Sequence, residues 1–254
     1  MTVLINEETR RSSGPLTGQT VVVIGGSMGI GRATAFEARA QGADVILTGR
    51  DPNHLRLAAQ EVGALSTAAF DATEHERLER FFEELPQPID HVLVTAGGSY
   101  YARVPDMDLA RVRGALEEHL LLTLNVARSA IGTVRPGGTL IFITGTGARR
   151  PGPGLAVAGV FAAALPALVA NLALELAPIR VNLLAAGFVD TPLSASLLGD
   201  DLDARRSELG RTLPIRRVVE PEDVAALAVH IMTNSALTGA TFDVDGGEQV
   251  LGRQ

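Results

Sequence analysis

Along the 254-residue chain, hydrophobic and polar positions fall into two alternating patterns. Short continuous apolar runs occupy 20–24, 43–48, 66–70, 90–95, 138–144, 179–185 and 240–244. They are brief and β-branched and do not alternate, as expected of strands covered on both faces. Between them lie stretches with helical spacing at about 29–41, 53–62, 74–84, 107–131, 155–177 and 221–233. Each is long enough to cross from one parallel strand to the next. The alternation therefore predicts an α/β, doubly wound architecture: a parallel seven-stranded sheet with helices on both faces.

Residues 1–17 are polar, include Arg10-Arg11-Ser12-Ser13-Gly14-Pro15, and predict a flexible N-terminal arm ahead of one domain spanning 18–254. No Pro-, Gly- or Ser-rich linker divides that domain, and no repeat goes beyond the alternation itself. The 155–177 stretch departs from amphipathic spacing, being almost wholly small and apolar from Leu155 to Leu165. A helix apolar all round must be buried on most faces. One flank is expected on the sheet and the other against another subunit, which predicts a homo-oligomer.

Gly25-Gly26-Ser27-Met28-Gly29-Ile30-Gly31 lies between the apolar run ending at Ile24 and the helical pattern from Arg32. Glycines allow positive φ and close approach of a ligand, while free N–H groups and the helix dipole face an anion. Alone, the motif also reads as a tight turn without a ligand; its companions give it meaning. About 20 positions on, where a site for NAD usually places an acid, stand Gly49 and Arg50. A guanidinium suits a 2′-phosphate, which favours NADP(H) over NAD(H). In the competing reading Arg50 is solvated and Asp51 takes the ribose. Asp71 and Ala72 close the third run, where a carboxylate could accept from an adenine amino group, and Thr95-Ala96-Gly97-Gly98 closes the fourth with small residues.

Composition narrows the function. With 46% hydrophobic and 20% charged residues, the chain can bury a sizeable core. A net charge of −7 without a basic run argues against nucleic acid as a partner. The chain has no cysteine, so thiolate chemistry and Cys-ligated metals are excluded and no metal site is predicted. It has no lysine either; all 22 basic residues are arginine. No apolar signal core precedes residue 18 and no uninterrupted apolar run reaches about 18 residues, so no membrane association and a cytoplasmic location are expected.

From about 18 to 250 the chain resembles the short-chain dehydrogenase/reductase family. The family's Thr-Gly-x-x-x-Gly-x-Gly appears as Ile24 to Gly31, and its Asn-Ala-Gly as Thr95-Ala96-Gly97. Leu174 to Asn182, Gly187-Phe188-Val189-Asp190-Thr191-Pro192 and Asp243-Val244-Asp245-Gly246-Gly247 match later marks. The resemblance implies a Rossmann fold and a nicotinamide dinucleotide. Its contacts would be Gly25, Ser27, Met28, Gly29, Ile30 and Gly31 in the turn, Arg50, Asp71, Ala72, Ala96 and Gly97 at successive strand ends, and Gly187, Val189 and Thr191 beside the nicotinamide. It also implies a mobile lid over about 193–216.

Family members protonate a carbonyl oxygen with a Tyr supported by a Lys, a Ser and often a helix Asn, because the developing alkoxide must be stabilised or protonated. The family register places these at Ala158, Ala162, Gly145 and near His119. All four have changed, and no alignment slip restores them in a chain whose only tyrosines are Tyr100 and Tyr101. His119, Tyr100, Tyr101, Thr144 and Thr146 are the candidate substitutes; each also reads as a polar helix residue, an aromatic wall or a turn cap. Three functions follow: an NADP-dependent oxidoreductase acting on a small carbonyl-type substrate by a non-standard proton donor, a non-redox or ligand-binding protein using the same pocket, or a silent subunit pairing with an active relative.

Overall fold

A computed structural model describes residues 14–251. In chain order the elements are β1 (Thr20–Ile24), α1 (Gly29–Ala40), β2 (Asp44–Gly49), α2 (Pro52–Val62), β3 (Ser66–Ala69), α3 (His75–Glu84) and β4 (Ile89–Val94). Next come α4 (Leu109–Leu116) and α5 (Leu122–Ala130), joined by a π-helical turn over Glu117–Leu121, then β5 (Val134–Gly145) and α6 (Ala156–Glu175). The chain continues with β6 (Arg180–Ala186), α7 (Pro192–Leu198), α8 (Leu202–Thr212), α9 (Pro221–Thr233) and β7 (Thr241–Val244). All seven strands are parallel, in the order β3-β2-β1-β4-β5-β6-β7.

Alternate residues of the strands feed two cores. Val22, Ile24, Val92 and Val94 meet α3, α5 and α6 through Phe82, Val126 and Leu165 on one face. Val21, Val23, Val45 and Leu47 meet α1, α2 and α9 through Ala35, Leu55 and Ala228 on the other. Local signals set the helix ends: Asp51 caps α2 ahead of Pro52, Gly63 ends it in the left-handed conformation, and Glu220 with Asp223 forms a capping box ahead of α9.

Some expectations are corrected. The 66–70 run reads as a buried strand, yet β3 is an edge strand and mostly exposed. The single helix expected over 107–131 is interrupted by the π turn, and the expected lid contains two helices, α7 and α8. Leu16, assigned to the arm, is fully buried and its N–H reaches the Gln41 carbonyl at 3.0 Å, so the packed unit begins before residue 18. Residues 1–13 of the arm lie outside the described residues.

Among the described residues one helix, α6, is long and apolar enough to cross a membrane. It buries Val157, Phe161, Leu165, Val169 and Leu172 in the fold, while Val160 and Leu174 on its other flank are exposed.

Strand order reverses between β1 and β4, so the loops leaving their carboxyl ends diverge and open a crevice. Register aligns Ile24 with Thr48 and Val94, and Gly145 with Ala186. The loops that follow share one edge of the sheet.

Candidate functional site

The glycine turn is built by close backbone approach. Thr95 donates its hydroxyl to the Gly25 carbonyl at 3.0 Å, and the amides of Thr95 and Ala96 reach the Ile24 carbonyl at 2.8 and 3.0 Å. Gly25 has φ +96°, and a Cβ there would lie 2.6 Å from the Ala96 nitrogen. A Cβ on Gly31 would lie 2.3 Å from the Gly25 carbonyl oxygen and 2.5 Å from Thr95 Oγ1. Neither position accepts a side chain. Thr95 thus does from the neighbouring strand what holds the turn shut, while Met28 offers no side-chain cap to the first amides of α1.

That turn forms one wall of a cleft of about 830 Å³. All fourteen residues expected to contact a dinucleotide lie on it. Arg50 and Asp51 both line its outer end, but they differ in commitment. Asp51 Oδ1 accepts the Asn53 and His54 amides at 2.8 and 2.9 Å, and the His54 amide above all holds the carboxyl below its usual range. Arg50 has no ion pair among the described residues. Asp71 Oδ1 accepts from the Thr73 hydroxyl at 2.8 Å.

The opposite end lies beneath α7 and α8. Arg206 grips Asp190 with two bonds of 2.7 and 2.8 Å, Arg205 reaches Glu248 at 3.0 Å, and Val189 bridges to Val219. Thr191 Oγ1 accepts the Ser194 amide and starts α7.

The candidate proton donors separate by position. His119 and Tyr101 line the cleft, as does Thr144. Tyr100 does not: its ring is buried, its hydroxyl accepts the Asp108 amide at 2.8 Å, and Arg111 stacks on it. Thr146 is fully buried with its hydroxyl unpartnered, outside the cleft lining. β5 stops at Gly145, so the two-residue parity that would align Thr146 with Thr144 is broken. Gly145 lines the cleft, whereas Ala158 and Ala162 do not, and Phe161 stacks on His119 at 4.4 Å.

Residues that sequence reasoning missed include Glu118, Arg205 and Glu248. Glu118 and His119 are adjacent, and on a regular helix adjacent side chains diverge. Both nevertheless grip Gly98: Glu118 Oε2 accepts its N–H at 2.7 Å, and His119 Nε2 donates to its carbonyl at 2.9 Å. The π turn carries both residues. Among the described residues no cluster of three or more His, Asp or Glu is placed to hold a metal.

Comparison with known proteins gives the lineage. A sequence model of the family described as Enoyl-(Acyl carrier protein) reductase matches residues 17–249. The chain belongs to the short-chain dehydrogenase/reductase family. This short-chain dehydrogenase/reductase is 28% identical over 250 residues to ATR9 of Stachybotrys chlorohalonatus, a match covering 91% of this chain and 97% of that protein. It is 30% identical over 257 residues to the NADH enoyl-[acyl-carrier-protein] reductase FabI of Rickettsia bellii, covering 95% and 97%. The crystal structure of BdcA in complex with NADPH superposes with a TM-score of 0.82 at 25% identity, covering 92% of this chain and 95% of that one. Family membership places the chain among oxidoreductases whose fold binds a nicotinamide cofactor.

Proposed function

We propose that this chain is an NADP(H)-dependent oxidoreductase acting on a small carbonyl-type substrate, C=O or C=N, without the family's Tyr and Lys. The observation that carries this reading is the glycine cradle, closed by Thr95, that shares one cleft with an unpaired Arg50. A side chain at Gly25 or Gly31 would fill it. The residues fit the group: the amides at the start of α1 suit a pyrophosphate, Arg50 a 2′-phosphate, and Asp71 an adenine amino group. Asp51, already engaged as the cap of α2, is the poorer ribose acceptor. When bound, the nicotinamide supplies or accepts hydride.

The chain's own residues orient and enclose. Gly187, Val189 and Thr191 border the inner end, and residues of α7 with Arg205 of α8 line it. Where an acceptor needs a proton, the cleft offers the Tyr101 and Thr144 hydroxyls, His119 and solvent. The exposed apolar residues Leu116, Leu121 and Leu124 on the π turn and its flanking helices, with Val160 and Leu174 on α6, support a homo-oligomer built on these helices.

The test is Arg50→Ala, with binding of NADPH and NADH followed by nicotinamide fluorescence. NADPH affinity is expected to fall about tenfold to a hundredfold, the scale of charge-assisted hydrogen bonds to a phosphate, with NADH little changed. Equal losses for both nucleotides would remove the NADP assignment.

A further inference from the structure

The inner end of the cleft is unevenly charged. Arg205 is matched by Glu248 at 3.0 Å and Glu208 at 2.9 Å. Glu118 has no cationic partner among the described residues; one oxygen accepts the Gly98 amide and the other accepts nothing. No lysine exists to balance it. The positioned acid is missing as well, since His119 Nε2–H is engaged by the Gly98 carbonyl and Tyr101 is half exposed. This end therefore presents an uncompensated carboxylate and an aromatic wall.

Resting on the hydride-transfer reading above, we propose that the preferred acceptor is a cation, an iminium C=N⁺ whose nitrogen is held toward Glu118. Hydride addition to a carbonyl carbon leaves an alkoxide that needs a proton or a donor pair, and a nearby carboxylate opposes that charge. Addition to an iminium carbon is different. The new C–H bond forms while the C=N π pair moves onto nitrogen, which becomes a neutral amine; NADPH is the reductant, leaves as NADP⁺, and no proton is taken up. A site with no Tyr–Lys pair loses nothing in that reaction. Glu118 and the Tyr101 ring favour the cation before it reacts. Because the positive charge fades as hydride arrives, Glu118 acts on affinity and selectivity rather than on kcat.

Two measurements on the full chain test this. In the absence of nucleotide, calorimetric titration compares N-methylisoquinolinium, a permanent cation, with isoquinoline, its neutral counterpart in mildly alkaline buffer. The cation is expected to bind about tenfold tighter or better, and Glu118→Gln, which keeps an oxygen for the Gly98 amide, should bring the two within about twofold. With NADPH present, 2-methyl-3,4-dihydroisoquinolinium should be reduced with a kcat/KM far above those of 1-tetralone and cyclohexenone, and Glu118→Gln should lower that ratio about tenfold. Equal binding of cation and neutral ligand, a preference that survives Glu118→Gln, or reduction of the ketone or enone but not the iminium would overturn the proposal and leave the hydride-transfer reading standing. A chain that binds no NADPH would instead remove that reading, and this proposal with it.

Discussion

Buried within β4, where it pairs with Val21 of β1, His91 shows how one residue ties stability to pH. Its Nε2–H reaches Gln19 Oε1 at 2.7 Å, while Nδ1 is buried without a partner. Burial pulls the imidazole down from 6.5 to about 3, against the opposing pull of Asp90. Between those values the unfolded chain binds a proton that the folded chain refuses. The stability linked to the neutral ring is thus fully present above 6.5 and is lost as pH falls toward 3, by at most about 5 kcal/mol. Urea unfolding of the wild type and His91→Asn at neutral pH and at about pH 4 should show a shallower acid loss in the variant. Parallel losses in both proteins would assign acid sensitivity elsewhere.

At the scale of elements, Arg180 at the start of β6 joins the sheet to the end of α9. Its buried guanidinium donates to the carbonyls of Ile231, Met232, Asn234 and Leu237, at 2.8 to 3.1 Å, and to Gly137 at 3.3 Å. Arg180→Met would strand several buried acceptors, so a loss of about 3 kcal/mol or more is expected in denaturant unfolding. A loss below about 1 kcal/mol would show that water replaces these bonds. The sheet was legible in the sequence because β1, the Val92–Val94 end of β4 and the Leu183–Ala186 end of β6 are apolar runs separated by helical patterns, and the glycine turn because its constraints are local. The grip on Gly98 was not, since it depends on the π turn, a feature that neither helical periodicity nor neighbouring residues announce. Nor were helices α7 and α8, because α8 is strongly polar and is anchored by the long-range partners Asp190 and Glu248. Tyr100 and Thr146 were misplaced for a related reason: where a loop residue points depends on tertiary hydrogen bonds.

For the whole molecule, two outcomes are expected. The exposed apolar face of α6 and its neighbours should hold copies of the chain together, so sedimentation equilibrium at micromolar concentration should give a dimer or larger; a monomer would contradict it. The central claim concerns the cleft itself, and direct titration of the full chain with NADPH tests it most simply. Saturable binding of one NADPH per chain is expected, at least about tenfold tighter than NADH, and abolished by Gly31→Val, whose side chain would meet the Gly25 carbonyl and Thr95. No saturable binding of either nucleotide, or binding that survives Gly31→Val unchanged, would contradict the account.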